Sequence, residues 1–334
     1  MSEVPSEHDD ESMLENEIAE LESQLAATRE RLIAKRRAAS TSSTNIQRQQ
    51  QQQQKSSPAR APLDSSHHYL LLLADSALPL GSFAFSSGLE SYLAHVRSQS
   101  QPHRPSFASF LPLSLSSYAS TTLPFVLAAH RDPSALADLD DVLDASIICA
   151  VGRRASIAQG RALLSVWEKS LAPSSSTITT TTTTSSSSSV PAGPREVLDA
   201  FSAALRRSSA SARKADSGEA DSEEEHSLLP PPVSAHLGPL FGALARLLGL
   251  TLRQAAYVFL LGHAKALVSA AVRASMFGPY QAQKVLAGEA LQVLIADMVE
   301  REWGVRVEDA GQSVPVMDLW IGRHEMLYSR IFNS

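Results

Sequence analysis

The sequence predicts an all-α protein: a single helical bundle domain with a disordered N-terminal extension and a low-complexity internal insertion. Three observations carry this. Apolar residues recur at i, i+3, i+4 and i+7 along most of the chain, strict apolar–polar alternation is absent, and helix start and stop signals fall between the periodic runs. The runs are Phe107 to His130, Ala135 to Lys169, His236 to Leu248, Thr251 to Phe277 and Tyr280 to Trp303. Asp132-Pro133 and Thr251 precede helices, Gly249 separates two, and Gly278-Pro279 ends one and opens the next. The stretch from Gln254 to Phe277 is apolar nearly all round, which places it at the centre of the bundle.

The extension occupies residues 1–66. Leu14, Ile18, Leu21, Leu25 and Leu32 repeat with the 4 and 3 spacing of a heptad seam, acidic through Glu22 and basic from Arg29 to Arg37, so a short coiled-coil helix is expected. From Ala38 to Ser66 the chain is Ser, Thr and Gln, including Gln49 to Gln54, and reads as a disordered tether. The helical domain then spans 67–334 and is interrupted at 172–233. That insertion holds a Ser/Thr run from Pro173 to Pro194 and a polar stretch from Ser208 to Pro232. Between them Val197, Leu198, Phe201, Ala204 and Leu205 mark a short amphipathic helix over Arg195 to Arg207.

Composition removes several function classes. With 19% charged residues, a net charge of −6 and a pI near 5.9, the chain lacks the basic stripe of a nucleic-acid binder. One cysteine, Cys149, excludes an internal disulfide framework and any CxxC-type metal or redox site, and fits a reducing cytoplasm. The first 27 residues carry nine acidic and no basic side chains, the reverse of an export signal. His263, Lys265 and Arg273 interrupt the most apolar stretch, so no membrane partner is expected. GxSxG, GxxxxGK[ST], GxGxxG and HExxH are all missing. His67 and His68 are adjacent and diverge by about 100° on a helix. His130 and His263 read as hydrogen-bonded core residues, and no His, Asp and Glu cluster has metal spacing.

Two segments exceed what packing requires. In Leu70 to Glu90 an apolar helix breaks at Asp75-Ser76 into a loop with Pro79, Gly81, Ser82 and Gly88. The chain end, Ser313 to Ser334, carries Met317, Leu319, Trp320, Leu327, Tyr328 and Phe332 with Arg323 and Arg330 interleaved. It reads either as an interface anchor or as a tail folded onto its own bundle. Arg273, in an otherwise apolar helix, is expected to meet a carboxylate or to lie at an interface.

These features extend into four ordered blocks. Leu73 to Pro79 with Gly81-Ser82-Phe83 and Gly88-Leu89-Glu90 form the first. Arg154, Ser156 and Gln159 lead into Gly160-Arg161-Ala162-Leu163-Leu164 as the second. His236 to Gly242, Ala271-Val272-Arg273 and Gly278 with Gln281 and Gln283 form the third. Pro315, His324-Glu325, Tyr328-Ser329-Arg330 and Phe332 form the fourth. Across residues 69–171 and 236–334 they resemble the UreF family of urease accessory proteins. Phe85 and Ser87 replace the polar, histidine or glycine residues of many members, which argues against a metal role for that loop. The N-terminal helix, the Gln tract and the Ser/Thr insertion lie outside the family pattern and read as fungal additions.

The resemblance implies a UreF-like, non-catalytic chaperone in nickel urease maturation, with no tightly bound cofactor. It implies a homodimer that binds a UreD/UreH-type accessory protein, recruits the GTPase UreG, and presents nickel to apo-urease in a GTP-dependent step. For the UreD-type contact the expected residues are Trp320, Leu327, Tyr328 and Phe332 as anchors, with Arg323, His324, Glu325 and Arg330 as polar partners. For the UreG or dimer side they are Asp75, Ser76, Pro79, Gly81, Ser82, Phe83, Gly88, Glu90 and Arg273. The rival reading is a coiled-coil adaptor with no part in nickel metabolism, and a third is an enzyme using Asp75, His324 or Glu325.

Overall fold

A computed structural model of the chain describes residues 20, 22–35, 65–98, 106–172, 193–216 and 233–333. Residues up to Leu63 form one unit and those from Asp64 another. In the first unit, α1 (22–35) is helical and exposed throughout, with Leu25 and Leu32 on its surface. At the seam position that lacks an apolar residue, the Thr28 hydroxyl donates back to the Gln24 carbonyl at 3.0 Å. Leu14, Ile18 and Leu21 lie outside the described residues, as do most of the tether and the two low-complexity runs of the insertion.

The second unit is built on α4 (Phe107–Arg131), whose Phe110, Leu115, Leu123, Val126 and Leu127 are fully buried. Around it lie α2 (Ser65–Ala74), α3 (Leu89–Ser98), α5 (Leu136–Ser146), α6 (Ala150–Val166) and α7 (Pro194–Asp216). The remaining helices are α8 (Leu237–Leu247), α9 (Leu252–Arg273), α10 (Pro279–Ala287), α11 (Glu289–Glu302) and α12 (Val316–Arg323). Every element among the described residues is helical. The tightest crossing is α4 on α8. A Cβ on Gly238 would stand 2.8 Å from the Thr122 methyl, and one on Gly242 would stand 2.2 Å from the Val126 carbonyl, so the backbones meet only because both residues are glycine. α9 passes the length and hydropathy test for a membrane span, but most of it is buried at the centre of the bundle, as its all-round apolarity predicts. Its start at Thr251 is a capping box: the Thr251 hydroxyl accepts from the Gln254 N–H at 3.2 Å, and the Gln254 amide oxygen accepts from the Thr251 N–H at 2.8 Å.

Three expectations on the helices are corrected. The run Ala135 to Lys169 is two helices, because Ile147 leaves α5 in an extended conformation and α6 starts after Cys149; a π-helical turn, Trp167–Leu171, closes α6. The run Tyr280 to Trp303 divides at Gly288, which caps both α10 and α11. The helix inside the insertion extends well past Arg207 to Asp216, and its Leu198 and Phe201 are buried against the bundle.

The chain re-enters the bundle after the insertion across a fully buried carboxylate. Asp140 accepts from three consecutive backbone N–H groups, those of Ser234 (2.7 Å), Ala235 (3.0 Å) and His236 (2.6 Å). This holds Ala235 at φ +70°, a conformation that costs a non-glycine residue about 1 kcal/mol or more. Gly160 of α6 packs directly on that turn, where a Cβ would lie 2.0 Å from the Ala235 carbonyl oxygen and 2.7 Å from the His236 carbonyl carbon.

Neither backbone can yield locally, so Gly160→Ala should lower the unfolding free energy by about 3 kcal/mol or more. Gly262→Ala, in the middle of α9 but facing open space, should instead stabilise by up to about 1 kcal/mol. Urea denaturation of both variants checks the pair; equal effects would show that the Gly160 crossing is not tight.

Candidate functional site

The two segments singled out in the sequence meet in space, and Glu90 joins them. After α2 the chain turns on Asp75, whose carboxylate accepts from the Ala77 N–H at 3.0 Å. It makes one 3₁₀ turn at Ser82–Ala84, then passes two successive left-handed residues, Ser87 (φ +49°) and Gly88 (φ +84°). This reversal starts α3 and sets Glu90 in its first turn, with the side chain turned inward.

The Glu90 carboxylate uses both oxygens on the tail. Oε1 accepts from the Ile331 N–H at 2.7 Å; Oε2 accepts from the Phe332 N–H at 3.3 Å and from His324 Nε2 at 2.9 Å. His324 is fully buried, and its Nδ1 has no partner among the described residues. The Asn333 N–H donates to the Ala84 carbonyl at 2.8 Å, which ties the chain end to the loop a second time. Arg273 donates to the Phe83 carbonyl and lies 4.3 Å over the Phe332 ring. Trp320 packs edge-on to Tyr92 at 4.9 Å and beside Phe110 at 5.8 Å. Ile321 sits between two glycines: a Cβ on Gly88 would stand 3.1 Å from its Cγ1, and one on Gly152 would stand 3.8 Å from its Cγ2.

Placement of the sequence-derived residues is therefore uneven. Phe83, Gly88, Glu90, Arg273, His324 and Phe332 form one cluster. Asp75, Ser76, Pro79 and Gly81 are exposed away from it, and Ser82 is half-buried. Trp320, His324 and Phe332 are taken up inside the chain, whereas Tyr328 is fully exposed, Leu327 half-buried, and Arg323 and Arg330 lie on the surface. Glu325 pairs with Arg154. Arg273 is exposed, because the last turn of α9 leaves the bundle; of the two expectations for it, a carbonyl and an aromatic ring take the place of the carboxylate among its described contacts, and the interface position stays open. The enzyme trio is not assembled either, since Asp75, His324 and Glu325 each have a different partner.

A second polar network escaped the sequence reading. His236, fully buried, donates from Nε2 to Asp144 at 2.7 Å and accepts at Nδ1 from the Ser156 hydroxyl at 3.0 Å. The order Asp–His–Ser is that of a hydrolase relay, but the electrostatics differ. The Arg153 guanidinium, more than His236, holds the Asp144 carboxyl down at about 2, so the carboxylate is already neutralised. Ser156 lies in mid-helix, where the backbone N–H groups needed for an oxyanion are committed to the helix. The network is a structural clamp. The one signal in the sequence near it was Asp140, a carboxylate on the Leu136, Leu139 and Leu143 face of α5 that holds the His236 backbone rather than its side chain.

Below the tail lies a cavity of about 380 Å³ between α4, α6, α9, the 82–87 loop and residues 310–321. Ser114, Ser117 and Thr121 face it from one side of α4. Ser114 hydrogen-bonds His263 at 3.0 Å, and Tyr118 stacks on that imidazole at 4.1 Å. Burial pushes His263 down to about 3 and also lowers His130, whose Nε2 donates to the Leu250 carbonyl at 2.8 Å. Burial likewise raises the Tyr118 phenol.

Comparison with known proteins follows the same outline. A family model described as UreF matches residues 103–290. A protein of Schizosaccharomyces pombe named as a UreF-like urease accessory protein is 35% identical over 262 residues, covering 78% of this chain and 94% of the relative. Urease accessory protein F of Oryza sativa subsp. indica is 30% identical over 268 residues, covering 78% and 82%. Urease accessory protein 6 of Cryptococcus neoformans var. grubii is 26% identical over 323 residues, covering 78% and 95%.

Two outcomes are expected. Glu90→Ala leaves two backbone N–H groups and a buried imidazole without their acceptor, a loss of about 2–3 kcal/mol. Trypsin should then cut after Arg323 and Arg330 at least about tenfold faster, and unchanged cleavage would show that Glu90 does not hold the tail. The second outcome concerns pH. His263 stays neutral in the folded chain, while an unfolded histidine protonates near 6.5. The unfolded chain binds the extra proton, so stability falls as pH drops below that value. Between pH 7 and pH 5 His263 should account for a loss of about 2 kcal/mol, which His263→Gln should remove while the contribution of His130 persists, as read by urea titrations at both pH values.

Proposed function

The chain belongs to the UreF family of urease accessory proteins, and on that premise we propose that it matures urease by docking a UreD/UreH-type partner on the outward face of its tail. It acts in urease maturation through protein contacts and performs no chemistry of its own. Together with that partner it recruits the GTPase UreG to apo-urease for GTP-dependent nickel insertion, so the nickel and GTP steps belong to the assembly. The chain works in the cytoplasm as a homodimer, with the loop from Asp75 to Ser82 turned to UreG or to the second copy.

The observation that carries this reading is the two-sided tail. One side is fixed inside by Glu90. The other presents Leu319, Met326, Tyr328 and Ile331, respectively 60%, 82%, 107% and 65% exposed, within thirteen residues of chain. Large apolar side chains held in solvent by a latched segment mark a binding surface, because the latch meets part of the ordering entropy before any partner arrives. Arg323, Arg330 and the Arg154–Glu325 pair supply a charged rim, which sets orientation more than affinity. In this arrangement Tyr328 is the anchor, with Leu327 beside it, while Trp320, His324 and Phe332 position the surface from within. The adaptor reading accounts for the exposed α1 helix but leaves the tail and its latch without a purpose.

The test is removal of the gene from its own host, with urease protein and urease activity measured in one lysate. Urease should be abundant and inactive. The intact chain should restore activity; Met326→Asp with Tyr328→Asp, both on the surface and outside the latch, should fail to restore it and should lose co-elution with the UreD-type partner, with an unchanged circular dichroism spectrum. Full rescue by the double variant would sink the tail reading, and normal urease activity after deletion would sink the maturation role.

A further inference from the structure

The cavity beneath the tail is chemically unlike the rest of the core. Most buried positions of α4 are aliphatic or aromatic, yet on the cavity side the helix turns Ser114, Ser117 and Thr121 inward. The Ser114 hydroxyl is used by His263 and the Thr121 hydroxyl by the Ser117 carbonyl at 2.8 Å. Ser117, only 6% exposed, has no side-chain hydrogen bond among the described residues, and neither does the Tyr118 phenol. Tyr118 is half-buried, and both hydroxyls face the cavity, where they are free to bond to whatever occupies it.

The lining is also selective in charge. It includes no lysine or arginine, its histidine stays neutral down to about pH 3, and its one carboxylate, Asp318, is engaged by the Gln312 amide at 3.0 Å. An anion inside would find no cation to offset its desolvation and would face a carboxylate. A neutral molecule with hydrogen-bonding groups meets matched partners, and a small cation meets Asp318.

Two parts of the wall come from the two segments that Glu90 joins: Ser82, Phe85 and Ser87 from the loop, and Asp318 and Ile321 from α12. The tail has a fixed point just before α12. Ser120 Oγ and Ser313 Oγ are 2.9 Å apart, and the Gly311 N–H donates to the Ser120 carbonyl at 3.2 Å. From Ser313 onward the position of the wall depends on α12 packing between Gly88 and Gly152 and on the carboxylate at its far end.

We propose that this cavity is a chamber that takes up small uncharged or cationic molecules rich in hydrogen-bonding groups, that it refuses anions, and that α12 is its movable wall, which Glu90 holds in place so that the opening stays narrow. Tail release and chamber opening are then one event, so anything that binds the released tail also changes access to the chamber. The proposal rests on the lining and the latch and stands apart from which partner the tail meets.

The chain has a single cysteine, which makes access measurable. In the full chain with Cys149→Ser, a reporter thiol is placed on the chamber wall by Ser117→Cys and, as an exposed reference, on α5 by Ala137→Cys. Each is treated with a neutral, a cationic and an anionic methanethiosulfonate. Relative to the reference, the neutral and cationic reagents should modify the chamber thiol at least about tenfold faster than the anionic one. Adding Glu90→Gln, which replaces one acceptor oxygen by an amide N–H, should raise the neutral rate about fivefold or more. An anionic reagent that keeps pace overturns the charge selectivity; a rate indifferent to Glu90→Gln overturns the movable wall. If Ser117→Cys does not fold, native Cys149, which also lines the chamber, serves as the reporter under the same criteria.

Discussion

Glu90 is the contact on which the outer half of the helical domain depends. A carboxylate in the first turn of a helix is favoured by the dipole on its own, but here its oxygens reach across to residues more than 230 positions later in the chain. Three donors converge on it, two of them backbone N–H groups that no helix would otherwise satisfy. This explains how a tail of one short helix, one 3₁₀ turn and an extended end stays folded. Its own apolar burial amounts to Met317, Phe332 and half of Trp320, too little to hold some twenty residues against an ordering cost of about 1–2 kcal/mol each. The carboxylate, the Arg273 guanidinium over Phe332 and the glycine slot around Ile321 supply the remainder.

Asp140 applies the same device at the other weak point of the fold. The insertion separates α6 from α8, and the Ala235 turn that leads into α8 lies against Gly160 of α6 and Asp140 of α5. Lengthening a loop adds closure entropy only logarithmically, about 0.6 kcal/mol per doubling, provided the ends are fixed. Asp140 fixes one end through three N–H groups, and Trp167, Leu198 and Phe201 fix the other by burial. A long polar run therefore sits in a bundle whose other connections are short, without disturbing the α4–α8 crossing.

What the sequence disclosed follows from the range of each interaction. The helices, the helix start at Thr251 and the central placement of α9 are local or periodic properties, so their signals lie within a few residues of one another. The break at Ile147 carried no such signal: two β-branched residues without glycine or proline do not mark a helix end. The Gly288 break was visible as a glycine but outweighed by the periodicity around it. Of the site, the two segments stood out because loops and tails seldom keep such residues. That Glu90 joins them did not, because a carboxylate at the start of a helix has an ordinary local explanation. The contacts of Arg273 were hidden for the opposite reason: its neighbours along α9 are apolar, and only the three-dimensional course of the chain shows that the last turn emerges at the surface.

The polar chemistry of the protein is thereby spent inward. Asp140, Glu90 and His236 each satisfy backbone or side-chain groups that the fold has buried, and the Asp144–His236–Ser156 series, for all its likeness to a relay, ends on an arginine that removes its basicity. What remains on the surface of the tail is apolar and aromatic, with charges at its edge. The two groups most shifted by burial, His263 and Tyr118, face the cavity beneath the tail, while the outer side of the tail is a hydrophobic face with a charged edge, the composition of a protein-binding surface.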